Sequence, residues 1–322
     1  MYKFVPIFKT VLWGGRRLLA YKEYDADLDR IGESWELSAV EGYESLVAEG
    51  PDAGLTLSEL LAREGEALLG RANYARFGTR FPLLIKFISA REDLSIQVHP
   101  NDALARRHHQ GRGKSEMWYV VEAEADTRIY CGFREPLTPA QYEASVEDNT
   151  LTDHLAEYRI QPGDSFFVPA GRVHAIGAGS LIVEIQQTSD ITYRIYDYDR
   201  RDASGNRREL HTELAKEAID FSVQPDYRTH YAFRRDEPVE LVRCDCFSTA
   251  LIEVTKPFCF DWRALDSFVA VVCTGGRGTL SDDHGNRCPI HQGETVLVPA
   301  SVGWLEADPA QPMTLLTSWI DG

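Results

Sequence analysis

Three things are scarce in this chain: positive charge, closely spaced cysteine pairs and long apolar runs. Each shortage removes a class of function. Against 50 Asp and Glu stand 34 Lys and Arg, a formal net charge of -16 over 322 residues. Such a field repels nucleic acid and anionic membrane, and an anionic ligand would need a local cluster of Lys and Arg to override it. The six cysteines, Cys131, Cys244, Cys246, Cys259, Cys273 and Cys288, include no C-x-x-C pair. A chain this long needs no disulfide staples, so reduced thiols in a cytoplasmic protein are expected, several of them serving as small hydrophobes in strands. No apolar run reaches membrane length, and the opening Met1-Tyr2-Lys3-Phe4-Val5-Pro6 lacks a signal-peptide core. A Gly-rich phosphate loop of the nucleotide-binding kind is also missing, so neither ATP nor NAD is implied.

What is present suits a sizeable core. Apolar residues make up 43% of the chain, and the length points to two domains with inserted helices. Composition places their boundary near Arg235-Asp236-Glu237-Pro238, giving residues 1–236 and 237–322. Helices are expected over 58–69 (opened by Ser58 and closed by Gly70), 101–110, 139–147 and 211–221. Residues 199–208, polar and charged around Ser204-Gly205-Asn206, read as a loop. From Pro238 onward the pattern is strands and turns.

Several polar residues sit where strand periodicity expects none. Residues 94–100 alternate strictly, with Ser95, Gln97 and His99 on one face and Leu94, Ile96 and Val98 on the other. Such a strand is either half of a metal site or a surface strand with a polar face. Lys86 lies midway through an apolar run, where its charge must be paired, face a polar cavity or snorkel out. Glu116 heads an aromatic and β-branched run, Glu184 and Arg194 interrupt two further strands, and Glu33 and Glu36 flank Trp35 and cannot both face apolar packing.

The chain also repeats itself. Gly163-Asp164-Ser165-Phe166-Phe167-Val168-Pro169-Ala170 aligns without gaps on Gly293-Glu294-Thr295-Val296-Leu297-Val298-Pro299-Ala300. The same register puts Trp304 where the first copy has His174. Two related β-barrels or sandwiches follow, of which only the first keeps a histidine ligand at this position.

Gly163-x5-Pro169-x-Gly171-x2-His174 resembles the second motif of the cupin superfamily, although Ala178 stands where the wider pattern often carries Asn. Together with Gln97-Val98-His99-Pro100 and Lys114-Ser115-Glu116-Met117, it resembles the short bacterial form of the type I phosphomannose isomerases across nearly the whole chain. That resemblance implies a mainly β fold of two cupin jelly-roll barrels, with helical insertions around the N-terminal catalytic one. It implies one zinc ion held by Gln97, His99, Glu116 and His174, and interconversion of mannose 6-phosphate and fructose 6-phosphate through an enediolate. Arg194, Lys86 and Glu184 are the implied catalytic residues. Glu184 is the proposed base if burial draws its pKa toward neutrality, although a structural pair with Lys86 would read the same. Arg194 has its own alternative, an ion pair with Asp197 or Asp199. Lys114 and Ser95 are candidate contacts to a phosphorylated sugar, and the chain is expected as a monomer or homodimer. Two other readings stay open: a sugar-binding or regulatory metal cupin without turnover, and a cupin dioxygenase, which Gln97 in place of a third histidine disfavours.

Overall fold

The computed structural model describes residues 1–201 and 204–321; Asp202 and Ala203, within the expected 199–208 loop, lie outside the described residues. The fold is mainly β, as expected. The first barrel packs two antiparallel sheets face to face. One is six-stranded, in the order Ser165–Val168, Glu116–Ala123, Ser180–Gln187, Leu83–Ser89, Ile31–Leu37 and Ile7–Gly15. The other is five-stranded, in the order Leu155–Arg159, Arg128–Phe133, His174–Ile176, Ile96–Val98 and Tyr193–Tyr196. An eight-stranded sheet folds the remainder, with the long strands Val269–Asp282 and Trp304–Trp319 at its heart and Tyr2–Lys3 pairing onto Thr295–Val298.

The sequence repeat is a structural repeat. Gly163 and Gly293 take φ of 92° and 83°, a region that favours glycine. Each leads into a four-residue strand, Ser165–Val168 and Thr295–Val298, and the next strands open at His174 and Trp304 respectively.

The helices depart from expectation in instructive ways. Thr56, not Ser58, caps the first one. Its hydroxyl accepts the Glu59 N–H at 3.1 Å, and the Glu59 carboxylate returns to the Thr56 N–H at 2.8 Å, a reciprocal box that outcompetes a lone serine. Gly65 then breaks the expected run into Leu57–Glu64 and Glu66–Leu69. The next helix, Arg71–Phe77, starts after Gly70, which has no side chain to cap it. Asp266 of the second barrel does so instead, accepting from Arg71 N and Ala72 N at 2.9 and 3.1 Å. A Cβ on Gly70 would meet the Asp266 carbonyl oxygen at 2.2 Å, so only glycine permits this approach. The helices Asp102–His109 and Pro139–Glu147 fall where expected, capped by Asn101 and Thr138. The last is shorter than expected, Thr212–Ala218, because Ile219 already turns extended.

The barrels share one apolar core. Leu60, Leu61, Leu68 and Leu69 of the insertion pack with Phe87 and Ile185 of the first barrel and with Phe247, Leu297 and Leu316 of the second. Phe81 and Phe268 meet across the junction with ring centroids 4.7 Å apart. Among the described residues no helix is long and apolar enough to cross a membrane.

One buried charge bridges the two halves. Lys22, 6% exposed, pairs with Glu36 at 2.7 Å and donates to the carbonyl of Gly293 in the repeat's second copy. Glu36→Ala strands that ammonium in the interior, and removal of one partner of a buried pair costs about 3–5 kcal/mol. Urea unfolding of the variant should show a loss of that order; a change under about 0.5 kcal/mol would mean the pair carries no load.

Candidate metal centre

Strand alternation delivers the polar residues to one interior. On the five-stranded sheet, Gln97 lies opposite His174 on one side and Arg194 on the other. His99 follows Gln97 by two residues and therefore faces the same way. On the six-stranded sheet, Glu184 lies between Lys86 and Trp118, and Gln186 lies opposite Glu116. In each of these strands the neighbours in sequence, Ile85, Phe87, Met117, Val183 and Ile185, point out of the barrel into the shared core.

His99, Glu116 and His174 bring ligand atoms within 4.8 Å of one another, all three buried. Glu116 Oε2 lies 3.4 Å from His99 Nε2, and its Oε1 lies 3.5 Å from His174 Nε2. Both imidazoles are anchored from behind, Nδ1 of His99 on the Ile191 carbonyl at 2.9 Å and Nδ1 of His174 on the Arg172 carbonyl at 2.8 Å. A carbonyl can only accept, so Nδ1 carries the hydrogen in each ring and Nε2 presents its lone pair to the centre. Both carboxylate oxygens of Glu116 are buried; Oε1 has no hydrogen-bond donor and Oε2 faces the Lys114 ammonium at 2.9 Å, so a cation beside Oε1 removes a burial cost. Two imidazole nitrogens and one carboxylate suit a borderline divalent ion.

Gln97 stands beside this trio in a different orientation from the one expected. Its Nε2 is 3.3 Å from His174 Nε2, while its Oε1 faces the Ser95 hydroxyl at 3.5 Å. The amide oxygen must rotate inward before it can ligate. Ser95 is 3% exposed, and its hydroxyl bond to Gln97 makes it a partner of the amide.

The charges around the trio form a chain. Lys114 Nζ lies 2.9 Å from Glu116 Oε2, 3.1 Å from His99 Nε2 and 3.8 Å from Glu184 Oε1. Lys86 lies 3.0 Å from the same Glu184 oxygen and 3.8 Å from Glu33, and Trp118 Nε1 donates to Glu184 Oε2 at 3.2 Å. Burial favours a raised Glu184 pKa, but Lys114, Lys86 and the hydrogen bonds from Lys86 and Trp118 outweigh it and hold the carboxyl down to about 2. The expectation that burial would draw Glu184 toward neutrality is therefore corrected, because one ammonium group arrives from the neighbouring strand Leu83–Ser89 and another from the segment leading into Glu116–Ala123. Burial and the Glu184 charge push Glu116 up to about 7. Burial lowers His174 to about 4, and burial with the Lys114 ammonium lowers His99 well below its usual value, so both rings are neutral at pH 7.

Arg194 makes neither of the ion pairs that its alternative reading required. Asp197 is held by Arg200 and Arg208, and Asp199 by Arg207. The half-buried Arg194 guanidinium donates from Nη1 to the Glu209 carbonyl at 3.1 Å, and its Nε is buried without a partner.

Two members of this interior escaped the sequence reading. Trp118 carries no sequence signal beyond its place in the aromatic run that Glu116 heads. Glu33, which Trp35 Nε1 holds at 2.6 Å, was noticed only as half of a charged pair flanking that tryptophan. Glu33 and Glu36 are three residues apart on one strand, so alternation puts them on opposite faces, one toward Lys86 and the other toward Lys22.

Known proteins are similar to this chain over nearly its whole length. Residues 1–134 match the family model "Phosphomannose isomerase type I, catalytic domain". The mannose-6-phosphate isomerase ManA of Bacillus subtilis is 36% identical over 311 residues, 93% of each chain. A putative mannose-6-phosphate isomerase of the same organism, YvyI, is 33% identical over 92% of each. The crystal structure of the mannose 6-phosphate isomerase from Bacillus subtilis superposes with a TM-score of 0.87 at 31% identity, covering 98% of both chains. A putative mannosephosphate isomerase from Archaeoglobus fulgidus shares the fold, with a TM-score of 0.81 at 22% identity over 100% of this chain and 97% of its own.

His99→Ala and His174→Ala should each lose tightly held metal, read as metal per chain by elemental analysis after dialysis. Full occupancy in both variants would reject the ligand assignment.

Proposed function

The chain belongs to the type I phosphomannose isomerases, and from that membership we propose that it interconverts mannose 6-phosphate and fructose 6-phosphate at the His99, Glu116 and His174 centre. We assign that centre one zinc ion, with Gln97 as a fourth ligand once its amide has turned. The observation that carries the reading is the buried Glu116 carboxylate, whose Oε1 lacks a hydrogen-bond donor, set between two imidazoles whose Nε2 lone pairs face it.

Aldose and ketose differ by one hydrogen moved between C2 and C1, with a matching exchange on the two oxygens. A base removes the C2 proton, the electrons form the C1–C2 double bond of an enediolate, and the proton is returned at C1. Negative charge develops on a sugar oxygen, and zinc bound at the centre supplies Lewis-acid stabilisation of that charge. Arg194, with no carboxylate paired to it, supplies a fixed positive charge and planar donors beside Gln97. Glu184 is ionised and able to accept the proton. Its basicity rises if Lys114 swings away, since Lys114 is the leading cationic influence on it. Lys86, bridging Glu184 and Glu33, orients that carboxylate and can exchange a proton with a sugar oxygen. Lys114 and Ser95 complete the substrate contacts. The same reading makes residues 1–236 the catalytic cupin and 237–322 a cupin without a metal. Six free thiols fit a reducing compartment, and we place the enzyme in the cytoplasm as a monomer or homodimer.

Purified protein should turn over mannose 6-phosphate, lose activity on chelation and recover it with zinc; a parallel assay with glucose 6-phosphate reports specificity. No turnover of either sugar by metal-loaded protein would refute the isomerase reading. Arg194→Ala should keep its metal while kcat falls about 100-fold or more, the scale seen when one transition-state donor is removed. Near-wild-type kcat would remove Arg194 from the reaction.

A further inference from the structure

Outside the barrel interior, a second cationic cluster is bonded to no carboxylate. Arg76 lies on the helix Arg71–Phe77, Arg80 on the turn after it, Arg106 on the helix Asp102–His109 and Arg112 on the turn that follows. Arg106 and Arg112 line two adjoining cavities, of about 660 and 290 Å³; Arg80 borders the larger and Arg76 the smaller. The Phe77 ring gathers two of these groups, with the guanidinium carbons of Arg76 and Arg112 4.8 and 5.1 Å from its centroid.

These arginines differ from most others on the surface. Arg63, Arg128 and Arg243, for example, each lie within 3.0 Å of a carboxylate oxygen. Among the described residues none of the four makes an ion pair, and Arg76 reaches only the Asp245 carbonyl at 3.4 Å. The walls do contain acids, Glu41 and Asp190 in the larger cavity and Asp102 in the smaller. Asp102 is occupied by the Gly113 N–H at 2.7 Å. Four cations against three acids leave a local charge of 4 - 3 = +1 in a chain of -16. Burial of Arg112 and the nearby Arg80 charge lower its pKa, with Arg76 adding to the effect and Asp102 opposing it. Like charges held this close are costly until an anion joins them.

We propose that the cavity walled by Arg80, Arg106 and Arg112 binds a phosphomonoester dianion. Guanidinium forks match phosphate oxygens in geometry and in charge. A volume of about 660 Å³ also leaves room for a sugar-sized remainder. The cavity is tied to the metal centre through one short segment. Ser189 donates to the Arg112 carbonyl at 2.9 Å, and two residues later the Ile191 carbonyl anchors His99 Nδ1. The phosphate can be the substrate's own, reaching outward from the centre, or that of a second phosphorylated metabolite felt through Ile191.

The test is titration of the metal-loaded chain with inorganic phosphate in a calorimeter, for wild type, Arg106→Gln and the Arg80→Gln/Arg106→Gln double variant. Both positions are exposed, so unchanged melting temperatures are expected and serve as the folding control. The double variant should bind phosphate about tenfold or more weakly, the scale of a lost charge-assisted contact, with the single variant between. Wild-type affinity in the double variant overturns the proposal. Kinetics then separate the sources. A KM for mannose 6-phosphate that rises in step with the phosphate Kd at constant kcat identifies the substrate's own group. An unchanged KM with loss of a non-competitive phosphate effect on the rate identifies a second ligand. The calorimetry needs no turnover, so failure of the isomerase reading and failure of this site are told apart.

Discussion

Charge balance in a buried interior constrains everything around the centre. Lys86, Lys114, Glu116 and Glu184 are each at most 6% exposed, and Glu33 joins them through Lys86. With neutral histidines the interior holds two positive and three negative charges, a formal 2 - 3 = -1. Isolated, any one of these would cost several kcal/mol to bury, so the set survives only because each member neutralises another. The imbalance settles on Glu116, whose pKa climbs to about 7 under burial and the Glu184 charge. In the free chain a proton offsets that charge near neutrality, and a bound cation does the same work more strongly. A metal held by Glu116 would therefore be coupled to Lys114, which contacts the same carboxylate.

How much of this was legible follows from the range of each interaction. Period-two alternation is local, so residues 94–100 already placed Ser95, Gln97 and His99 on one face, and the strand Ile96–Val98 keeps them there. Gly163 and Pro169 announce turns by their own backbone limits, and His174 opens the next strand as expected. The basicity of Glu184 was not legible. It depends on Lys86 and Lys114, each placed on another segment by pairing that no local pattern encodes. The cap on Arg71–Phe77 is similar, since its acceptor, Asp266, is 195 residues away from Arg71. The arginine cavity draws on two helices and two turns, none of which carries a motif.

The second barrel shows what the shared frame looks like without this constraint. The same Gly-strand-Pro-turn unit leads to Trp304, which is 37% exposed. Val254, Val271, Leu280, Val296, Val298, Met313 and Leu315 fill its interior as one apolar cluster. The buried acid beside that cluster, Asp282, is held by the backbone N–H groups of His284 and Asn286 and by the Asn286 side-chain amide, and the cluster itself is held by packing. Its contribution to the first barrel is mechanical: Asp266 caps the insertion, and Gly293 accepts from Lys22.

That mechanical role bears on how His99, Glu116 and His174, which could hold a metal, are kept together between these sheets. Glu116 comes from the six-stranded sheet and His174 from the five-stranded one, while His99 follows a strand of the latter. The sheet separation therefore sets the ligand distances directly, and slack of about 1 Å would ruin coordination geometry. The outward residues of the same strands prevent it. Ile85, Phe87, Met117, Val183 and Ile185 lock the six-stranded sheet onto the insertion and the second barrel. Ile96, Val98 and Ala175 lock the other under Tyr142, Ala215 and Ile219 of the helical segments. One alternation serves both ends: its inward residues bring the charges together, and its outward residues fix the distance at which they meet.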